Sequence, residues 1–272
     1  MNQHAPFTEQ DLEELDELFL SRAARVVAIE DVYDGDRAPN VIGLRHDCDS
    51  DASLRTATRM ARWEAERGYR STYYLLHTSP YWIGPYFERH VAEIAECGHE
   101  IGIHVNALAH SLRTGQHPDL ILHMAIDRLR SLGYPVRGAA GHGDALCIRN
   151  RDEWESPFAN DEQFLECRRE KMGDADREIN RGPASLILNP KPLADFGLEY
   201  EALFLGLPWP FRFSDSGGKW LEPGVAATAE RFAAQVDVSA EPVNPLEPLQ
   251  LHLLIHPDWW GRAFRTGTVA AA

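Results

Sequence analysis

Residues 41–49 have the sequence VIGLRHDCD, in which an apolar run is followed at once by two carboxylates. The apolar run predicts a buried β-strand. Side chains two residues apart in an extended segment point the same way, so Asp47 and Asp49 can face one pocket. Two like charges this close are costly unless a cation or a shared proton joins them, which a metal ion would provide. The alternative is a polar strand end at which residues 49–51 cap the following helix.

The strand-then-helix pattern repeats along the chain outward from this segment. A helix that stops at Gly68 leads to a strand at 71–76, a helix from about Tyr86 to Cys97 leads to a strand at 100–103, and a further helix begins at Pro118 and ends at Gly133. Alternation of this kind predicts an α/β protein with a parallel sheet.

The remaining segments complete the predicted architecture. Thr8 can cap an N-terminal helix over about residues 8–24, residues 150–182 are charged and weakly periodic and are interpreted as an insertion, and residues 249–255 form a last apolar strand that ends at His256. Polar residues follow several of the strands, as they do around a barrel mouth. A (β/α) barrel, incomplete if strands are missing, therefore fits better than an open sheet.

Composition narrows the class of protein. The chain has 272 residues, 44% of them hydrophobic, which is enough for one substantial core, so residues 1–272 are predicted to form a single domain. A net charge of -15 argues against binding to nucleic acid or to anionic membranes. Without a membrane-length apolar run or an export signal, a cytoplasmic location is expected. The four cysteines form no C-x-x-C pair and predict neither a zinc knuckle nor a disulfide framework.

Four predicted strand ends carry side chains suited to a metal or to catalysis. They are Asp47 with Asp49, His104 with Asn106 and His110, His142, and His256. In a parallel barrel these converge on one face, and imidazole together with carboxylate suits zinc or another divalent transition ion. His104 directly follows an apolar strand and is favoured as a ligand. His110 and His142 compete for the third position, each with an ordinary loop or turn role as its alternative, and His99 is interpreted as structural.

The C-terminal third adds possible catalytic and substrate-binding groups. His256 follows an apolar strand and precedes Pro257, which favours a site role. Asp215 either orients a catalytic histidine by accepting its ring proton or makes an Asx turn. Trp259 and Trp260 either form a sugar-stacking wall or are buried in the core.

Over roughly residues 41–260, the chain resembles the NodB-type polysaccharide deacetylases, the fourth carbohydrate esterase family, and especially the branch with an R-H-D-x-D opening motif. Residues 98–104, GHEIGIH, look like the family's G-H-E-I-G-x-H segment, whose last histidine binds metal. The resemblance implies a distorted (β/α) barrel of fewer than eight strands. It also implies roles for single residues: Asp47 as base, Asp49 and His104 as metal ligands, His256 as acid, Asp215 as the carboxylate that tunes this histidine, and Trp220 as a groove wall.

The chain departs from the family pattern in two places. The family's second metal histidine usually lies four residues after the first, where this chain has Leu108. His110, Asn106 or His142 is left to complete the metal sphere, and we expect His110. The family's Arg-Pro-rich motif is not recognisable at residues 137–143, where His142 stands between two glycines and is expected to form the corresponding wall.

These features predict a metal-dependent hydrolase, with zinc as the favoured ion, that removes a short N-acyl group from an amino sugar or a related small intracellular substrate. Asp49, His104 and His110 would hold the metal, Asp47 would take the proton of the attacking water, and His256, oriented by Asp215, would protonate the departing amine. Arg45, His142, Trp220 and Trp259 are expected to contact the substrate. Two alternatives stay open: an allantoinase-like hydrolase of a cyclic amide or other C–N bond, and a non-catalytic carbohydrate-binding or regulatory relative that has lost its metal.

Overall fold

The structure is a computed structural model that describes residues 7–35, 40–148, 160–172, 178–181, 184–187, 189–203, 211–216 and 250–264. Its strands are β1 (Arg25–Val27), β2 (Val41–Cys48), β3 (Thr72–Leu76), β4 (Glu100–Val105), β5 (Gly138–Gly141), β6 (Glu178–Arg181), β7 (Ala184–Ile187), β8 (Tyr200–Glu201), β9 (Phe211–Ser214) and β10 (Gln250–Ile255). Its α-helices are α1 (Glu9–Leu18), α2 (Ile29–Tyr33), α3 (Asp51–Glu66), α4 (Phe87–Glu96), α5 (Ala107–Thr114), α6 (Pro118–Ser131), α7 (Ala145–Ile148) and α8 (Leu165–Met172).

The main sheet has the strand order β8-β5-β4-β3-β2-β10-β9, with β1 also paired to β2. The pairs β1–β2, β2–β10, β9–β10, β4–β5 and β5–β8 are parallel, as expected where helices connect successive strands. β6 and β7 form a separate antiparallel hairpin. The predicted α/β class with a parallel sheet is therefore confirmed, and the strand order is compatible with a distorted (β/α) barrel. Among the described residues no helix is long and apolar enough to cross a membrane.

The chain divides into two compact units, and the single domain expected over residues 1–272 stays a prediction. The first unit comprises Met1–Tyr73, Ile83–Glu100 and Pro208–Ala272, and the second comprises Tyr74–Trp82 and Ile101–Leu207. The predicted insertion at about 150–182 belongs to the second unit. It contributes a one-turn helix at Asn160–Gln163, then α8 and β6, whereas residues 149–159, 173–177 and 182–183 lie outside the described residues.

The first unit is built around β2 and β10, whose two faces have opposite character. Alternate residues of each strand join one hydrophobic cluster with α1 and Trp260; they are Ile42, Leu44, Leu251, Leu253 and Ile255. The intervening residues of β2, Arg45 and Asp47, consequently point to the other face. Because Ile255 pairs with His46, the residues that follow, Asp47 and His256, reach the same level of the sheet.

The N-terminal helix packs on this cluster and has the predicted cap. The Thr8 hydroxyl accepts a hydrogen bond from the Asp11 backbone N–H, and the Asp11 carboxylate accepts one from the Thr8 backbone N–H, which forms a capping box. Leu12 and Leu15 are buried. The helix ends at Leu18, a one-turn helix follows at Leu20–Arg22, and together these elements replace the continuous helix expected to residue 24.

The second unit brings the ends of β4 and β5 side by side. Val105 pairs with Gly141, so His142 comes at the level of Asn106. Gly141 allows a close approach here, because a Cβ at this position would lie 3.0 Å from the Cβ of Asp161, a tight contact. The turn at Asn160–Gln163 is therefore seated directly on the end of β5.

Candidate metal and catalytic site

In the first unit, the end of β2 carries a buried ion pair. Arg45 Nε donates to Asp47 Oδ1 and Arg45 Nη2 donates to Asp47 Oδ2, both at 2.7 Å, and both side chains are almost fully buried. This two-pronged geometry fixes the plane of the carboxylate and stabilises its charged form. The structure therefore places Arg45, which was expected to contact the substrate, against Asp47.

The helix cap that was the alternative explanation for the two carboxylates is also present, and Ser50, within the predicted segment 49–51, makes it. The Ser50 hydroxyl accepts a hydrogen bond from the Ser53 backbone N–H at 3.2 Å and caps α3. The same hydroxyl donates to Asp258. Asp49, which is half-buried, uses its backbone N–H on Ser53 Oγ at 3.2 Å. The cap and the carboxylate pair thus coexist, because the cap needs a hydroxyl only.

His256 lies at the end of β10 and is held by Asp215, which follows β9. The distance from His256 Nδ1 to Asp215 Oδ1 is 2.6 Å, and the His256 backbone N–H donates to the same carboxylate at 3.0 Å. Trp260 Nε1 donates to Asp215 Oδ2 at 2.8 Å. Burial lowers the pKa of His256, but the hydrogen bond and charge of Asp215, with the charges of Asp47 and Asp49, raise it to about 9. The ring is consequently a cation at neutral pH.

In the second unit, His104 and His142 present ring nitrogens to each other. His104 Nδ1 lies 2.9 Å from the carbonyl oxygen of Ala140, an acceptor that fixes the proton on Nδ1 and leaves Nε2 with its lone pair. His104 Nε2 is 3.1 Å from His142 Nδ1, and the two rings are nearly perpendicular, at 82°. A carbonyl that orients a histidine from behind is the usual support of a metal ligand.

Within the second unit, His104 Nε2 and His142 Nδ1 are close enough to share a metal ion. Two nitrogen ligands about 2.05 Å from one ion are about 2.9 Å apart at a right angle and about 3.3 Å apart at the tetrahedral angle. The distance of 3.1 Å between His104 Nε2 and His142 Nδ1 lies between these values. Imidazole nitrogens are also donors that zinc accepts in catalytic sites.

The other two groups considered for the third ligand position are placed differently. His110, predicted as the ligand, lies half-buried on α5. Asn106 uses its amide within the protein: Oδ1 accepts from Asn160, and Nδ2 donates to Thr78 and Asp144. Leu108, at the family's ligand position, is fully buried.

His77 is a polar residue at a strand end that was not predicted as part of the site. It directly follows β3, and its Nε2 accepts a hydrogen bond from the Asn106 backbone N–H at 3.0 Å. Burial, with the charges of His110, His104 and His142, lowers the pKa of His77 to about 3, so its ring is neutral. Its position after an apolar strand was the same signal that identified His104.

His99 and His46 belong to a separate buried network beneath α3. His99 Nε2 lies 2.9 Å from the carbonyl oxygen of Ala61, and His99 Nδ1 accepts from the Ser71 backbone N–H at 3.1 Å. His46 Nε2 is 2.7 Å from Glu64 Oε1. These contacts fit the structural interpretation of His99.

The tryptophans of the C-terminal region have different environments. Trp260 is fully buried and contributes its indole N–H to Asp215. Trp259 is half-buried beside the hydrophobic cluster, and its backbone carbonyl accepts from the Phe7 N–H at 2.6 Å. Trp220, predicted as a groove wall, lies outside the described residues.

Asn160 is a buried side chain beside His142 that no sequence signal could have found, because it lies in a charged segment without periodicity. Its amide nitrogen donates to the His142 carbonyl oxygen at 2.8 Å.

Compared with known proteins, the chain matches no protein-family model and no curated protein.

Proposed function

We propose that this protein is a metal-dependent hydrolase that removes a short N-acyl group, such as acetyl, from an amino sugar or a related small substrate. The observation that carries the proposal is the pair of His104 and His142, whose ring nitrogens lie 3.1 Å apart after the predicted strand ends. The deacetylase-like motifs at residues 45–49 and 98–104 support the same reaction class. Zinc is the expected ion, because carboxylate and imidazole donors suit it.

Asp49, His104 and His142 would hold the ion. A bound zinc would act as a Lewis acid towards the amide carbonyl and the attacking water. The 2.9 Å contact from His104 Nδ1 to Ala140 would keep Nε2 available as a ligand. His142 takes the place that was predicted for His110.

Asp47 would accept the proton of the attacking water. Arg45 holds this carboxylate in one orientation through two hydrogen bonds of 2.7 Å. The ion pair stabilises the charged form of Asp47, which is the form a general base requires. Arg45 in this scheme orients the base and does not bind the substrate.

His256 would donate a proton to the departing amine, because an amide nitrogen leaves readily only once it is protonated. With a pKa raised to about 9, its ring carries that proton at neutral pH. The Asp215 carboxylate, 2.6 Å from Nδ1, fixes the ring so that Nε2 is the nitrogen that delivers the proton. The bond broken is the amide C–N bond, and the products are a carboxylic acid and an amine.

The test combines metal analysis with a product assay on the full-length protein. One zinc per chain, bound by the wild type and lost in His104→Ala, is the expected result. Release of acid and amine from N-acetylated amino sugars supports the deacetylase proposal, whereas turnover of cyclic amides alone supports the allantoinase-like alternative. A wild-type protein that takes up no stoichiometric metal contradicts both reactions and leaves the non-catalytic relative.

A further inference from the structure

We infer that Asn160 is a positioning residue for the metal ligand His142. The inference rests on the proposed function, since it concerns how one of the proposed ligands is held. Asn160 begins the one-turn helix Asn160–Gln163, which lies within the segment that the sequence marks as an insertion. All four residues of this turn are polar, and all four are buried, with at most 4% of each residue exposed. Polar side chains that are buried to this extent are in most cases hydrogen-bonded.

The amide of Asn160 joins three groups, and backbone partners fix its orientation. Its Oδ1 accepts from the Ala109 backbone N–H at 3.1 Å, and its Nδ2 donates to the His142 carbonyl oxygen at 2.8 Å. A backbone N–H can only donate and a carbonyl oxygen can only accept, so the oxygen and nitrogen of this amide cannot be exchanged. The second proton of Nδ2 goes to Asn106 Oδ1 at 3.0 Å.

This orientation determines the hydrogen bonds of Asn106 in turn. Because Asn106 Oδ1 is an acceptor, its Nδ2 is the donor to Thr78 Oγ1 at 3.0 Å and to Asp144 Oδ2 at 3.1 Å. Arg113 donates to the other oxygen of Asp144 at 2.5 Å. The residues that follow β3, β4 and β5 are therefore connected through one chain of side-chain hydrogen bonds that ends at Asn160.

His142 is the ligand that this chain of hydrogen bonds holds. Its backbone N–H donates to the Val105 carbonyl at 2.8 Å, and its own carbonyl accepts from Asn160 and from the Asp144 N–H at 3.1 Å. Gly143, which follows it, is exposed. The hydrogen bond from Asn160 thus holds the His142 backbone in place at a turn between two glycines. In this position the His142 ring nitrogen Nδ1 lies 3.1 Å from His104 Nε2. Because the inserted segment carries Asn160, which supports the proposed ligand His142, metal affinity depends on the folding of that segment.

The test measures metal binding by Asn160→Ala, with Gln163→Ala as the matched control. Gln163 is a buried amide of the same turn, but its Nε2 donates to Asp119 on α6 and not to His142. Both variants are titrated with Zn²⁺ against a chelating indicator, at a temperature below both melting transitions. The visible absorption spectrum of bound Co²⁺ is recorded as well, because it reports ligand geometry independently of activity.

We expect Asn160→Ala to bind Zn²⁺ about tenfold more weakly than wild type, which is the lower end of the range for residues that support metal ligands. The Zn²⁺ affinity of Gln163→Ala should stay within about twofold of wild type. The Co²⁺ spectrum should change in Asn160→Ala only. Equal affinities and spectra in both variants would overturn the inference while leaving the proposed function intact. A wild type that binds no zinc would overturn the proposed function, and this inference with it. Should Asn160→Ala not fold, Asn160→Ser, whose hydroxyl is too short to reach all three partners, takes its place.

Discussion

His104 Nε2 and His142 Nδ1 lie 3.1 Å apart, whereas His110, which the sequence favoured as a ligand, lies on α5. Loss of an outer-shell partner typically weakens metal binding by about 10–100-fold. His142→Ala removes a proposed ligand itself and should therefore weaken zinc binding by more than this. His110→Ala should leave the affinity near that of wild type. Competition titration with a chelating indicator measures both, and the reverse order of effects would return the third ligand position to His110.

Asp47, which Arg45 holds in a buried ion pair, is proposed as the base and not as a metal ligand. Its substitution should therefore change the catalytic rate without changing metal binding. If Asp47 is the general base, Asp47→Asn should lower kcat by about two to four orders of magnitude. Zinc content should stay at the wild-type level, because Asp47 is not among the proposed ligands. A near-normal kcat with metal retained would remove Asp47 from the role of base.

Two precautions make this measurement decisive. Removing one partner of a buried ion pair typically costs about 3–5 kcal/mol of stability, so rates are compared well below the melting temperature of the variant. Asp51→Asn is the matched control, since Asp51 is an exposed carboxylate in the first turn of α3. It should leave both the rate and the metal content unchanged.

Several strands of the sheet could be predicted from the sequence, because an apolar run is a local feature of the chain. The apolar runs at 71–76, 100–103 and 249–255 correspond to β3, β4 and β10. β2 continues four residues beyond its apolar run, to Cys48. Its polar residues stay in the strand because Arg45 pairs with Asp47 and His46 pairs with Glu64, a partner 18 residues away that no local pattern reveals.

The choice between His110 and His142 could not be made from the sequence for a related reason. It depends on α5 beginning at Ala107, directly after β4, and on β5 lying next to β4 in parallel register. Both facts concern tertiary structure. The motif at residues 98–104 identified one proposed ligand, His104, and the pairing of Val105 with Gly141 places His142 beside the end of the same strand.

The Glu64 network predicts a large effect on stability from a residue outside the proposed chemistry. Glu64 is buried and accepts from Ser71 Oγ at 2.7 Å and Tyr73 OH at 3.0 Å, besides its contact with His46. Burial raises its pKa, but the charges and hydrogen bonds of His46, His99 and Ser71 leave the pKa below its usual value. Glu64→Gln should cost about 1–3 kcal/mol in the free energy of unfolding, because it replaces the charged acceptor of several buried hydrogen bonds with a neutral amide.

Glu93→Gln is the control for this substitution. Glu93 pairs with Arg62 at the surface, where an ion pair contributes about 0–1 kcal/mol. Urea denaturation of the metal-free proteins at pH 7 measures both values. A loss in Glu64→Gln no greater than that in Glu93→Gln would contradict a structural role for the network.

The His256 and Asp215 pair predicts the pH dependence of both activity and stability. The pKa of His256 is raised to about 9 in the folded protein, against about 6.5 for an unperturbed histidine. The pair therefore stabilises the fold fully below about pH 6.5, and this contribution is lost as the pH rises through 9. Activity should fall over the same upper range, because the general acid loses its proton.

Asp215→Asn tests this relationship, because it removes the charge that raises the pKa. The alkaline limb of the kcat profile should move about one to three pH units towards neutrality. In the metal-free protein, the difference in unfolding free energy between wild type and Asp215→Asn should shrink as the pH rises from 6.5 to 9. His256→Gln should abolish that pH dependence, because no titrating ring remains. An unchanged alkaline limb in Asp215→Asn would show that a group other than His256 supplies the proton.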